Sequence, residues 1–150
     1  MAEEFGPEEE LDEQHLAELK ERVETSPFHQ WSGMRLVEVG HGNARVEMPL
    51  EDHHLNPQRI AHGGIIAAIA DTAIGLALRS VLPTGHTHRT AQLNVHFLSK
   101  GEGSRLIGTG RAHHRGRRMG YGESEVTDDA GTTLARASAT FIVLPAPGAF

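Results

Sequence analysis

From Ile60 to Leu78 the chain is apolar or small at nearly every position, broken only by His62, Gly63, Gly64, Asp71 and Thr72. The run is too long for a strand, so it predicts a helix from about Gly63 to about Val81, buried on all sides. On either side of it the pattern changes to alternation. Residues 35–39 and 43–50 read as two strands joined at Gly40-His41-Gly42, with Ala44, Val46 and Met48 on a buried face and Arg45 and Glu47 opposite. Glu51 to Arg59 is a loop of turn formers, and Pro83-Thr84-Gly85 closes the helix. Residues 88–98 alternate again, Ala91, Leu93, Val95 and Phe97 against Gln92, Asn94 and His96. Strands at 104–114, 119–127 and 132–144 follow, with turns at 101–103, 115–116 and 128–131. Two strands, one long helix and four strands predict an α+β fold, an antiparallel sheet around a single helix.

Ahead of this pattern, Pro7 to Glu24 predicts a helix with Leu16, Leu19 and Val23 on one stripe, a peripheral addition to the fold. Ser26-Pro27 is an N-cap followed by a first-turn proline, and Phe28 and Trp31 are expected to anchor that short helix on the core. The chain thus divides into an acidic helical extension, 1–26, and a main domain, 27–150, ending in a loose tail at 145–150. The predicted core strands and helix all fall in the main domain.

Composition narrows the class. At 150 residues with 38% hydrophobic content and a net charge of −6, the chain suits one soluble globular domain. Residues 1–25 carry ten acidic and two basic side chains, which leaves the remainder slightly basic. No cysteine means no disulfide framework, in keeping with a reducing cytoplasm. No secretion signal is seen, and the apolar run, interrupted by polar residues, is a poor membrane span.

The chemistry gathers on the central helix. A carboxylate at Asp71, in apolar surroundings, costs several kcal/mol unless paired, hydrogen-bonded or at an opening. A structural bond to a neighbouring strand is the plain explanation; catalysis is the sharper one. At the helix start, Gly63 and Gly64 present backbone N–H groups without intrahelical partners, beside the positive end of the helix dipole. They can receive a developing oxyanion, or merely make a tight turn into the helix. Asn56 can aim its amide at the same point. Gly63 and Asp71 are eight residues apart, roughly 12 Å along the axis. One carbonyl and one water need contacts near 3 Å, so a shared site must take Asp71 from a second copy packed antiparallel across a two-fold axis. An obligate dimer follows.

The pattern Asn56-x5-His62-Gly63-Gly64-x6-Asp71 resembles the hotdog-fold acyl-CoA thioesterases, in particular the phenylacetate-pathway (PaaI-like) branch. The resemblance runs over roughly residues 28 to 144 and includes Gly33-Met34-Arg35-Leu36. It implies a hotdog thioesterase domain that hydrolyses acyl-CoA thioesters to free acid and coenzyme A. Gly63 would donate to the thioester oxygen, with Asn56 assisting. Asp71 of the other subunit would act as general base or nucleophile. Thr90 lines up with a hydroxyl residue that positions the water in relatives, or is an ordinary strand threonine. His62 would orient the turn or contact substrate, and Gly64 would border it. Arg117-Arg118-Met119-Gly120 would border the pantetheine tunnel. Coenzyme A would be substrate rather than cofactor, and a cytoplasmic homotetramer, a dimer of dimers, is expected. Kinship with one branch is the sole pointer to an aromatic acyl group.

Other readings are weaker. Eleven histidines lack the spacing of a zinc signature, so no metal is expected. Arg111, Arg115, Arg117, Arg118, His113 and His114 cluster at one hairpin, either as a solvated tip or as an anchor for coenzyme A phosphates. Their charge is too local for nucleic acid. An acyl-CoA binding module without turnover is the rival class. A hotdog dehydratase would need a His–acid motif that is absent.

Overall fold

The computed structural model describes residue 11 and residues 13–147. The elements in order are α1 (Glu13–Thr25), α2 (Pro27–Ser32), β1 (Arg35–Gly40), β2 (Asn43–Pro49), a 3-10 turn (Asp52–His54), α3 (Gly63–Arg79), β3 (His86–Phe97), β4 (Arg105–Arg115), β5 (Met119–Asp128) and β6 (Thr133–Pro145). All six strands form one antiparallel sheet in the order β1-β2-β4-β5-β6-β3. The sheet curls round α3, which is the hotdog arrangement expected from the sequence.

Small residues set how closely helix and sheet approach. At Gly110 on β4 any Cβ would overlap the Ala73 carbonyl, so helix backbone lies directly on strand backbone. Further along, a Cβ at Gly120 of β5 would fall 2.6 Å from Leu78 Cδ2. Ile69, Ala73, Ile74, Ala77 and Leu78 are fully buried on this face. Each large aliphatic there contributes about 1.5–3 kcal/mol on transfer from water.

The opposite face of α3 differs from the expectation of all-round burial. Asp71, Thr72 and Arg79 are half-buried, because α1, α2 and β3 cover this side loosely. Leu19 and Val23 of α1 are buried in the core cluster, while Leu16 is only half-buried. The predicted helix start at Pro7 to Glu10 and Asp12 lies outside the described residues, and Leu11 is not helical. On α2, Pro27 occupies the first turn; Phe28 and Trp31 are 44% and 53% exposed, and Trp31 meets the fold through edge-on contact with His53 and the buried His54, ring centroids 5.0 and 5.8 Å apart, rather than through the apolar core. Inward positions of that helix go instead to the smaller Ser32 and, in part, to His29.

Two strands also depart from simple alternation. Glu47 is buried despite its polar-face register, since it accepts from Arg45 at 2.8 Å and Arg105 at 3.1 Å. β3 buries neither face: Ala91 and Phe97 are exposed, Leu93 and Val95 only half-buried. It is an edge strand, paired with β6 alone, and its register shifts between Thr90 and Gln92. The tail expected from residue 145 is held at its start, where the Ala146 N–H donates to Gly85 O at 2.8 Å. Residues 148–150 lie outside the described residues.

Candidate active site

The approach to α3 is built by a short pairing of chain on itself. Leu55 bridges Ala61, and the His62 N–H donates to His54 O at 2.9 Å. Buried His54 fixes this loop through its Nδ1, which accepts the Glu51 N–H at 3.0 Å. Asn56 closes the intervening turn, its Oδ1 accepting the N–H groups of Gln58 at 2.9 Å and Ile60 at 3.3 Å. The amide oxygen is therefore committed to the backbone, and only Nδ2 remains to donate outward.

His62 is the N-cap of α3, and its Nδ1 accepts the Gly64 N–H at 2.8 Å. That bond takes one of the two glycine donors out of play. The Gly63 N–H has no acceptor among the described residues. One free donor at the positive end of a 17-residue helix is thus what this corner offers an oxyanion.

Two turns further along, Asp71 faces β3. Thr90 Oγ1 donates to its carboxylate at 2.9 Å to Oδ1 and 3.2 Å to Oδ2. Burial raises the Asp71 pKa above the ordinary carboxylate range, and the Thr90 bond offsets this in part. The acid is held by a strand, as its plain explanation requires, yet it also borders a cavity of about 330 Å³. The walls come from α1 (Arg22, Val23), Ser26 and His29, the α3 stripe Asp71, Thr72, Gly75, Leu76 and Arg79, and His88, Thr90 and Phe141.

Of the cavity's polar walls, Asp71 and Thr90 were expected from the sequence, and the histidines and arginines were not. His88 stacks edge-on against Phe141 with ring centroids 5.0 Å apart, and the bare Gly75 lets it lie against the helix. Burial, then Arg79 and Arg22, push its pKa down to about 4. His29 Nε2 is 3.5 Å from Thr72 Oγ1, and burial lowers its pKa as well. Asp71, Gly75 and Arg79 recur every four residues, a stripe that would have set Arg79 on the acid's side of the helix. Nothing in the sequence pointed to Arg22 or His88.

The expected site residues fall into three places. Asp71 and Thr90 meet in mid-helix, and Asn56, His62, Gly63 and Gly64 gather at the start of α3. Arg117, Arg118 and Met119 sit exposed on the β4–β5 hairpin. That hairpin lies beyond the other end of α3, because β4 sets Gly108 beside Ile69 while β5 sets Gly120 beside Leu78. From Gly63 to Leu78 the axis is roughly 22 Å long. Within one protomer these arginines and the Gly63 corner are at opposite ends. Among the described residues, no three or more His, Asp and Glu side chains gather as a metal site. No helix among them is long and apolar enough to cross a membrane.

A curled six-stranded sheet around one long helix defines the hotdog class. The thioesterase superfamily model matches residues 58–135, which takes in α3 and most of the sheet, and the chain belongs to that family. An Archaeoglobus fulgidus protein named "Putative esterase" is 30% identical over 107 residues, 71% of this chain and 68% of that protein. Acyl-coenzyme A thioesterase PaaI of Escherichia coli is 28% identical over 104 residues, 69% of this chain and 72% of that enzyme. Its solved structure superposes with a TM-score of 0.80, covering 89% of this chain and 96% of PaaI at 22% identity. A thioesterase family protein from Silicibacter pomeroyi reaches a TM-score of 0.83, covering 88% and 99% of the two chains at 21% identity. Both superpositions speak for the fold.

Proposed function

We propose that this thioesterase hydrolyses acyl-CoA thioesters, with Asp71 of one subunit and the Gly63 N–H of another serving the same carbonyl. The carrying observation is Asp71 itself: a half-buried carboxylate with a raised pKa, hydrogen-bonded to Thr90 and open to a cavity. A carboxylate tuned upward suits proton abstraction from water near neutral pH. In the reaction, Asp71 takes a proton as the water oxygen adds to the thioester carbon. The Gly63 N–H and helix dipole stabilise the oxyanion, assisted by Asn56 Nδ2. The tetrahedral intermediate then expels the coenzyme A sulfur, which receives the proton from Asp71. His62 serves by holding the corner in shape, and Gly64 lets the substrate pass close to the backbone.

A dimer is part of the proposal. Asp71 and Gly63 are about 12 Å apart along one rigid helix, too far for one carbonyl. β3 supports the pairing, because its 12 residues leave one edge open and an open edge invites a second strand. Antiparallel packing of two copies brings each acid toward the other's corner, and brings each Arg117-Arg118-Met119 hairpin to the partner's α3 start. There the two guanidiniums are suited to coenzyme A phosphates. Pairing of dimers into a tetramer in the cytoplasm completes the reading.

Coenzyme A release from a panel of acyl-CoAs, read for the parent and Asp71→Asn, tests this. The parent should turn over at least one thioester, and the variant should lose orders of magnitude in kcat with its fold intact. Near-parental hydrolysis by Asp71→Asn would remove the acid from the mechanism. Tight acyl-CoA binding by the parent without any release would favour the binding-module alternative.

A further inference from the structure

The cavity beside Asp71 is an odd container for a hydrocarbon chain. Its apolar walls are Val23, Leu76 and Phe141, while two guanidiniums, Arg22 and Arg79, line it from different helices. Arg22 is exposed and Glu18 lies one turn before it, so solvent and that carboxylate offset part of the repulsion between the two cations, and an anion in the cavity would offset the rest. Arg22 has no ion pair or hydrogen bond among the described residues. Arg79 spends one N–H on His86 O, which aims its guanidinium, and keeps its remaining donors. Burial, then the charge of Arg22, lower the Arg79 pKa, while Glu18 works in the opposite direction. His88 feels both cations and stays neutral, so it adds no third charge.

The geometry sets where an anion would lie. Asp71, Gly75 and Arg79 follow one stripe of α3, with the acid at one end and the guanidinium eight residues on, about 12 Å along the axis. The bond to His86 O holds the Arg79 head level with its own turn, since β3 sets Thr90 beside Asp71 and His88 beside Gly75, so the guanidinium closes the far end of the cavity. Gly75 leaves the space between them free of a side chain. An acyl group whose carbonyl stands at Asp71 would run over Gly75, and its far end would meet Arg79 and Arg22.

We infer that the favoured acyl group carries a carboxylate at its far end, making the substrate a coenzyme A monothioester of a short-to-medium dicarboxylic acid, with Arg22 and Arg79 as specificity residues. This rests on the thioesterase reading above and names the substrate class for that same site. The carboxylate would accept forked N–H donors, a geometry arginine is built for. A distal carboxylate also stands as far from the Asp71 charge as the cavity allows.

The test compares adipyl-CoA with hexanoyl-CoA, which share a chain length and differ in the terminal group, using the parent and Arg22→Met. Methionine is a good helix former, and Arg22 is exposed on α1, so this variant should fold. The parent should favour adipyl-CoA in kcat/KM by about tenfold or more, the worth of a charge-assisted hydrogen bond. Arg22→Met should erase most of that preference, lowering kcat/KM for adipyl-CoA far more than for hexanoyl-CoA, a change in selectivity beyond that expected of a purely structural role. Equal or better use of hexanoyl-CoA by the parent would overturn the inference and leave the thioesterase reading standing. Uniform loss for both substrates in Arg22→Met would overturn it too, by assigning the cation to the coenzyme or the fold. Should neither be cleaved while another thioester of the panel is, the inference is overturned; should none of the panel be cleaved, the thioesterase reading fails instead. Calorimetric binding of the two thioesters then decides this point, with adipyl-CoA expected to bind tighter and equal affinity counting against it.

Discussion

Thr90 Oγ1 donates to both carboxylate oxygens of Asp71, at 2.9 and 3.2 Å, and so ties an edge strand to the middle of the buried helix. Burial raises the Asp71 pKa, and this bond opposes the rise. The acid limb of the parent's kcat/KM should therefore lie above the ordinary carboxylate range. In Thr90→Val burial acts unopposed, so the limb should move to higher pH, and Thr90→Ser should bring it back. A pH–rate profile of the three proteins checks this. An unmoved limb in the valine variant would hand the base role to another group.

The single free donor at the start of α3 can be deleted without deleting the helix. Proline is tolerated at the first helical position, and His62, with ψ at 136°, already has the backbone that a following proline demands. Gly63→Pro should melt near the parental temperature yet lose about 10²–10³ in kcat, the usual cost of one oxyanion donor. Thermal denaturation beside a kinetic assay separates the two effects. Full activity in this variant would exclude the Gly63 N–H from catalysis.

The cavity histidine has a signature of its own in stability. Burial first, then Arg79 and Arg22, hold His88 near 4 against an ordinary 6.5. Between those values the unfolded chain takes up a proton that the native state declines. The His88 contribution is thus complete above pH 6.5 and is lost as pH falls towards 4. His29 and His54 are lowered in the same sense, also by burial. Asp71, raised, works against them at the acid end. Urea unfolding at several pH values should show stability falling through this window, more gently in His88→Gln. Identical slopes in both proteins would contradict the assignment.

Close approach of β4 to α3 makes its own forecast. Gly110→Ala would press a methyl into the Ala73 carbonyl, where backbone cannot step aside cheaply. A loss of about 1–3 kcal/mol or more is expected, with activity falling as α3 shifts. Chemical denaturation of the variant measures it, and an unchanged midpoint would mean the helix is more loosely seated than described.

What could be read from the chain beforehand divides along physical lines. The helix at 63–79, the hairpin at Gly42 and the buried face of β2, Ala44, Val46 and Met48, were legible because periodicity and turn chemistry are local. Pairing of Asp71 with a strand could be anticipated from the cost of a lone buried carboxylate. The exposure of Phe28 and Trp31 could not, because a short helix leaves open which side meets the core. β3 followed its alternation in part: Leu93 and Val95 pack against the core as expected, while Ala91 beside the register shift and Phe97 at the strand end stay exposed on an edge that pairing alone determines. Arg22 and His88 reach the cavity through tertiary contacts between α1, α3 and β3, and no spacing announces those. Glu47 was assigned to the solvent face, and its two arginines, one of them 58 residues away, are what keep a buried carboxylate satisfied.

In the proposed mechanism the length of α3 makes each reaction chamber communal. An acid and a donor fixed at separate points on one rod never meet, so on that mechanism a lone chain would own two half-sites and no whole one. Subunits disabled at opposite points should then rescue each other: refolding Asp71→Asn with Gly63→Pro would give mixed dimers holding one doubly broken chamber and one intact. Random pairing would return about a quarter of parental turnover from two nearly dead proteins, a recovery unavailable to any enzyme whose chamber belongs to a single chain.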